Sequence, residues 1–455
     1  MNVTAATTAD ETQNTASMPS STSKTNCSPG AAAPVTAEVP SVRHQGSLAG
    51  GRYHFSESVI GGVSFQVHER YRIKCIVGKG AYGMVCAAED QQRKANPQAE
   101  RASAEAVDTP ATQSRSHAGQ GSNSCMVAVK KIIEPFDDRT DCKRLLREIR
   151  LLRLLRHPNI LHLHDLMPPA SLSPTGWKDV YLVTRLFDTN LHRVIYSGQP
   201  LSDPHVQYIL WQLFRALRYM HRAGVVHRDM KPTNILLNRD CELALADLGL
   251  ARHMQTSPMR SPQADRPNNG RLTKYVVTRW YRAPELLVQN QRYNEAVDMW
   301  SIGCILAEVI GAKALFPGKD SLHQLRLIVE LLGAPSKEEL AQIENEQAAR
   351  YVEGLRGKLN GCVGTAGLAD LFPSASPSLI DLLGKLLQFD PRKRPTAAEA
   401  LKHDYLSAYH EAPEEKLPTP EIEMGFEGRN PTKEDLRLLV WEEVLLFQPW
   451  LKNWS

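Results

Sequence analysis

Strand-like and helix-like residues are segregated along this chain, and that segregation limits the folds open to it. Four short runs rich in β-branched and aromatic side chains, Tyr71 to Val77, Val85 to Ala88, Val127 to Lys131 and Val180 to Thr184, all precede Phe187, as strands of one small sheet would. Among them, Arg144 to Arg156 carries Leu145, Leu146, Ile149, Leu152 and Leu155 at helical spacing and reads as a helix laid on that sheet. After Ser202 the texture turns helical. Val206, Ile209, Leu210, Leu213, Phe214, Leu217 and Met220 make one apolar face, and Gly224 is placed to stop that helix. Helical blocks continue through Asp298 to Ile310, Lys319 to Leu332 and Pro377 to Leu387. The expectation is an α+β, two-lobed molecule: a small β-rich lobe, about 71–187, joined near Phe187 to a larger helical lobe, about 188–406. At 455 residues the chain is long for one core, which fits such a division.

Other stretches lack the side chains to build a core. Residues 1–50 are Ser, Thr, Ala and Pro with almost no large apolar groups, so they are expected to form a disordered tail. A segment of similar texture, 91–124, reads as a low-complexity insert in the first lobe, and Pro168 to Gly176 as a long hairpin turn. A third polar stretch, Gln255 to Arg271, contains Ser257-Pro258 and Ser261-Pro262, and no internal repeat is evident. Lys plus Arg exceed Asp plus Glu by 54 minus 50, or +4, too even a balance for a nucleic-acid binder driven by counterion release. The eight cysteines never form a C-x-x-C pair, so zinc and dithiol readings fall away and reduced thiols are expected. The start of the chain lacks a basic then apolar leader, and the most apolar run, Trp300 to Pro317, is broken by Glu308 and Lys313. Membrane association is therefore not expected. A cytoplasmic location is, with nuclear residence left open.

The chemistry concentrates between Val226 and Gly249. Val226-His227-Arg228-Asp229-Met230-Lys231-Pro232-Thr233-Asn234 offers a carboxylate (Asp229), an ammonium (Lys231) and an amide (Asn234), and Asp247-Leu248-Gly249 adds a second carboxylate. Such a set suits phosphoryl transfer. Asp229 can accept a substrate hydroxyl proton, Lys231 can neutralise a phosphate, and Asn234 and Asp247 can ligate Mg²⁺. A metaphosphate-like transition state needs placement and charge more than a strong base, so Asp229 is expected mainly to orient the nucleophile. Upstream, Gly78-Lys79-Gly80-Ala81-Tyr82-Gly83-Met84-Val85 fits G-x-G-x-x-G-x-V between two strand-like runs, where missing Cβ atoms let backbone N–H groups approach ATP phosphates. Alone it reads equally as a glycine-rich hairpin. Val127-Ala128-Val129-Lys130 strengthens it by supplying a phosphate-facing lysine, and Glu148, 18 residues on, is positioned to pair with Lys130. Taken singly, Glu148 would be just a solvated helix carboxylate.

From about Tyr71 to Pro449 the chain resembles a eukaryotic protein kinase, with its two-lobed fold and ATP and Mg²⁺ cofactors. The stretch Leu272-Thr273-Lys274-Tyr275 through Thr278-Arg279-Trp280-Tyr281-Arg282-Ala283-Pro284-Glu285, the run Phe316-Pro317-Gly318-Lys319-Asp320, and the tail Leu436 to Pro449 with Glu442-Glu443 and Phe447-Gln448-Pro449 narrow this further. On these three features the chain is similar, within that superfamily, to the mitogen-activated protein kinases. The resemblance implies a kinase domain over 71–406, followed by a 407–455 extension that packs back on it. It implies activation by phosphorylation of Thr273 and Tyr275, each phosphate adding about −1.5 to −2 charge that arginines can gather around. Arg147, Arg228 and Arg252 then match phosphothreonine contacts, and Arg279 and Arg282 phosphotyrosine contacts. Thr278 resembles a threonine bonded to Asp229 and Lys231, Glu285 and Arg394 a buried structural pair, and Asp298 an anchor for the catalytic-loop backbone. For ATP the resemblance implies Ile76 and Val77, the glycine loop through Val85, and Ala128. It adds Thr184 guarding the inner pocket, Arg185, Leu186 and Phe187 at the hinge, and Asn190 near the ribose. Glu411, Glu414 and Glu415 resemble an acidic docking patch, although charge alone makes them a solvated acidic loop.

The implied activity is transfer of the ATP γ-phosphate to Ser or Thr followed by Pro. The implied partners are protein substrates with such sites, an upstream dual-specificity mitogen-activated protein kinase kinase, and phosphatases and substrates with basic docking motifs. Read without the resemblance, each arginine is an ordinary ion-pair residue. The Thr-Lys-Tyr spacing, the Leu248 of Asp-Leu-Gly and the long lip depart from the usual pattern. Two alternatives stay open: a scaffold that docks partners without transferring phosphate, and a kinase that phosphorylates its own lip.

Overall fold

In the computed structural model the described residues are 41–48, 53–80, 83–95, 125–169, 171–173, 176–254, 279–290, 294–356, 364–411 and 417–453. Ser41–Leu48 (β1), Tyr53–Ile60 (β2) and Val63–His68 (β3) form an antiparallel three-stranded sheet. In β3 the two-residue period is plain, because Phe65 and Val67 are buried while Gln66 between them is exposed. Strand β1 alters the expectation of a tail over 1–50 at residues 41–48 alone; 1–40, 49 and 50 lie outside the described residues. The ladder of β1 with β2 is made by backbone groups, which a shortage of large apolar side chains does not reveal.

A five-stranded antiparallel sheet follows, built from Tyr71–Gly80 (β4), Gly83–Asp90 (β5), Met126–Ile132 (β6), Leu163–Met167 (β7) and Val180–Arg185 (β8) in the order β4-β5-β6-β8-β7. One helical turn, Gln91–Ala95 (α1), leads out of β5, started by Asp90 Oδ1 accepting from Gln92 N at 3.1 Å; the insert 96–124 lies outside the described residues. Strand β7 was not legible as a strand, because Asp165 interrupts its apolar pattern. That buried carboxylate accepts from the Tyr71 hydroxyl at 2.7 Å and from Gln448 Nε2 at 2.7 Å.

Helix Arg139–Leu154 (α2) is capped by Asp138, whose Oδ1 accepts from Thr140 N at 2.7 Å, and it buries Leu145, Leu146, Ile149 and Leu152. Beyond the hinge come Thr189–Asn190 (β9), Leu191–Ile195 (α3), Asp203–Arg222 (α4), Val225–Val226 (β10), Ile235–Leu237 (β11), Leu243–Leu245 (β12) and Arg252–His253 (β13). Gly224, at φ +70°, ends α4, and a Cβ there would meet His253 Nε2 at 3.1 Å. The helical lobe is centred on Ala296–Gly311 (α5), buried continuously from Ala296 to Glu308. The most apolar run of the sequence is thus a core helix, and no described helix is long and apolar enough to cross a membrane. Pro377–Leu386 (α7) packs on it, and Ser321–Leu332 (α6) contributes to the same apolar core.

The last segment returns to the first lobe. Gly425–Gly428 (α8) and Lys433–Phe447 (α9) lie against α2, with Glu443 accepting from Arg150 Nε at 2.8 Å and Arg153 Nε at 2.7 Å. Lys433 Nζ caps the chain before α2 by donating to the Asp137 carbonyl at 2.6 Å.

Candidate active site

The glycine hairpin is the β4–β5 turn, with Gly78 opposite Val85 and Gly80 opposite Gly83. Gly83 sits at φ +155° with no room for a side chain, since a Cβ would lie 1.8 Å from the Lys131 carbonyl oxygen. Ile76, Val77, Lys79 and Met84 share this hairpin; Ala81 and Tyr82 lie outside the described residues. One strand further, β6 carries Ala128 and Lys130, and Ala128 pairs with Thr184 on β8. Thr184 is buried just before Arg185, Leu186 and Phe187. Phe187 is itself buried under the Arg185 guanidinium, 4.9 Å from the ring centroid.

Lys130 Nζ lies 2.6 Å from Glu148 Oε1, so β6 is locked to α2. Burial works against the Lys130 ammonium, but the Glu148 and Asp247 carboxylates outweigh it and hold the lysine above its ordinary value.

Asp229 follows β10 on a loop pinned from beneath. Asp298, at the start of α5 and fully buried, accepts from His227 N at 2.9 Å and Arg228 N at 2.8 Å, and His221 Nε2 lies 2.9 Å from it. That anchorage holds Arg228 at φ +66°, a left-handed conformation that a bulky residue adopts only under constraint. Lys231 Nζ donates to Asp229 Oδ2 at 2.6 Å, and Asn234 Nδ2 donates to the Asp229 carbonyl at 2.9 Å and to Oδ2 at 3.2 Å. Asn234 thereby keeps its amide oxygen as an acceptor. The backbone carbonyl of Asn234 accepts from Ala246 N at 2.9 Å, which brings Asp247 alongside. Asp247 is at φ +63°, and Leu248 behind it is fully buried, so leucine packs where the sequence departs from its resemblance. Burial pushes the Asp229 carboxyl above its ordinary value, helped by Asp247 and opposed by Lys231. Burial pushes Asp247 the same way, but Lys130 and Lys231 hold it below that value. An ionised carboxylate beside an amide oxygen is a hard oxygen donor pair suited to Mg²⁺ completed by phosphate oxygens.

Other expected residues lie apart from this cluster. The Asn190 side chain caps α3 by accepting from Arg193 N at 3.0 Å, and Arg193 Nη2 reaches across the cleft to the Val77 carbonyl at 3.4 Å. Asn190 is therefore engaged in the helix cap. Arg279 Nη1 donates to the Lys319 carbonyl at 3.3 Å, and Arg282 N closes a turn onto the Arg279 carbonyl at 3.1 Å. Thr273, Tyr275 and Thr278 lie outside the described residues, as do Glu414 and Glu415; Glu411 is exposed. Arg147 and Arg252 converge on Glu427 of α8, a residue the sequence reading did not single out. In the sequence nothing set it apart from its neighbours Glu421 and Glu423. Glu285 and Arg394 form a bidentate pair at 2.7 and 2.8 Å, both buried.

Comparison with known proteins gives two findings. The protein kinase domain family model matches residues 116–406. The chain is 40% identical over 390 residues to extracellular signal-regulated kinase 1 of Dictyostelium discoideum, covering 85% of this chain and 64% of that protein. It is 40% identical over 401 residues to mitogen-activated protein kinase 6 of Arabidopsis thaliana, covering 88% of each. With mitogen-activated protein kinase spk1 of Schizosaccharomyces pombe it shares 44% over 358 residues, 79% of this chain and 84% of the relative.

Proposed function

Because the chain belongs to the mitogen-activated protein kinases, ATP-dependent Ser/Thr protein kinases with the two-lobed fold, we propose that it transfers the γ-phosphate of Mg·ATP to Ser or Thr followed by Pro, under control of phosphorylation at Thr273 and Tyr275. The observation that carries the reading is the convergence of Asp229, Lys231, Asn234 and Asp247 opposite a formed Lys130–Glu148 pair. Asp229 orients the substrate hydroxyl and takes its proton as the oxygen attacks. Lys231, hydrogen-bonded to Asp229, lies where it can offset charge on the transferring phosphoryl group, and Lys130 serves the α- and β-phosphates. Asn234 and Asp247 would hold Mg²⁺, which supplies neutralisation of phosphate charge when bound.

Family membership supports protein substrates and upstream kinases in general. The finer proposal is that Glu411, Glu414 and Glu415 receive basic docking peptides of an upstream dual-specificity kinase, of phosphatases and of substrates. The exposed position of Glu411 is compatible with that role. The same reading places the protein in the cytoplasm, with access to nuclear substrates. Reversing the three acids to Lys is expected to raise KM for substrates bearing a docking motif and to leave a short Ser-Pro peptide unchanged. An equal loss on both substrates would contradict the docking assignment.

A further inference from the structure

Helix α8 is seated on α2 with its one acid inward. Phe426 is buried under the Arg150 guanidinium, 5.3 Å from the ring centroid, and Lys143 Nζ reaches the carbonyls of Glu427 at 3.5 Å and Arg429 at 3.2 Å. These contacts fix Glu427, whose side chain is 7% exposed, against Arg147, whose side chain is 3% exposed. Arg147 donates through Nε and Nη2 to Glu427 Oε1, each at 2.6 Å, and Arg252 Nη1 lies 3.8 Å from the same oxygen. Arg147 also donates through Nη1 to the Gly249 carbonyl. One carboxylate from the C-terminal extension therefore sits between the helix that carries Glu148 and the segment that runs from Asp247 to Arg252. It takes two of the three arginines expected to receive a phosphate on Thr273.

We infer that Glu427 is a positioning residue that stands in for the lip phosphate. Resting on the kinase reading above, it holds α2 and the Asp247 segment in register before Thr273 is modified, and phosphothreonine takes over Arg147 and Arg252 afterwards. The charges support that order. A carboxylate brings one negative charge and two acceptor oxygens, whereas a phosphate brings about −1.5 to −2 and three, so the phosphate is the stronger anchor for the same guanidinium groups. Burying the pair carries a desolvation cost that only good geometry repays, and the two short bonds to one oxygen supply it.

The test uses the full chain as parent, Glu427→Gln and Glu427→Asp, each with and without lip phosphorylation, and a Thr273→Ala background. Phosphate transfer to a Ser-Pro protein gives the rate, and hydrogen exchange over 139–154 and 247–254 reports the register directly. Glu427→Gln is expected to lose about tenfold in rate without lip phosphate, to exchange faster in both segments, and to return to within about twofold of the parent once phosphorylated. Glu427→Asp is expected to retain most of the parent's rate and protection. Equal losses in both phosphorylation states would assign Glu427 a merely structural role, and a rise in the unphosphorylated rate would make it a brake; either overturns the inference. If the parent transfers no phosphate in any state, the kinase reading fails by itself. Hydrogen exchange still decides the role of Glu427, because unchanged protection in the unphosphorylated variant overturns it.

Discussion

At Asp229 two opposing influences meet in one carboxyl group. Burial and the Asp247 charge favour its neutral form, and Lys231 at 2.6 Å favours the ionised one, with burial prevailing. A raised carboxyl protonates earlier as pH falls, so the acid limb of kcat/KM should lie above the ordinary aspartate range. Removing the opposing cation with Lys231→Met should move the acid limb of the residual activity to still higher pH. A limb that stays put or moves down would show that Lys231 does not set this titration. Asp247 is held ionised by Lys130 and Lys231, as a metal ligand requires. Asp247→Ala is expected to lower kcat/KM by at least about 10³, several kcal/mol of transition-state stabilisation; a variant within tenfold of the parent would contradict its role. These residues were legible because chain spacing alone brings Asp229, Lys231 and Asn234 onto one loop. Glu427 was not, since its meaning depends on a chain reversal that puts it against Arg147. Asn190 shows the same dependence on structure: its Oδ1 caps the start of α3, a use that its position in the sequence did not announce.

Among elements, the apolar ones announced themselves. The runs behind β4, β5, β6 and β8 and the leucine stripe of α2 carry their own periodicity; the strands extend beyond those runs, and α2 starts at Arg139, before the stripe, and ends at Leu154. Elements held by polar or backbone contacts stayed hidden. Strand β7 depends on Asp165 being satisfied by Tyr71 and Gln448, and β1 on its ladder with β2. The seat of α9 on α2 is likewise ionic, with Glu443 between Arg150 and Arg153. Replacing Glu443 by Ala removes a nearly buried acceptor from two guanidinium groups that keep some access to water. It should cost about 2 kcal/mol in urea unfolding and speed proteolysis within 417–453. An unchanged midpoint would mean that apolar contacts such as the edge-on Trp177–Trp441 pair, 6.0 Å between centroids, hold the extension without it.

Across the whole molecule, specific polar contacts brace each lobe beside the cleft, and the C-terminal segment links back to the first. The Lys130–Glu148 pair closes the small lobe, Asp298 pins the Asp229 loop to the core helix of the large one, and the C-terminal extension spans back to α2. The large lobe has its own tie in the Glu285–Arg394 pair, whose side chains are 5% and 0% exposed. Arg394→Ala strands a buried carboxylate and should destabilise by about 3–5 kcal/mol; calorimetry showing no loss would contradict the pair's structural role. The family and the fold were visible in sequence because the motifs and the textures agree. Control of the enzyme was less so, since the arginines proposed to receive a phosphate on Thr273 are gathered from α2, the Asp229 loop and β13, three places far apart in the chain. The most direct measurement is therefore ATP-dependent phosphate transfer to a Ser-Pro-containing protein before and after lip phosphorylation, with Thr273→Ala and Tyr275→Phe as controls. Activity that rises with lip phosphate and falls in both controls is the predicted result. No transfer in any state, with the lip verified as phosphorylated, would contradict a regulated kinase and leave a docking scaffold.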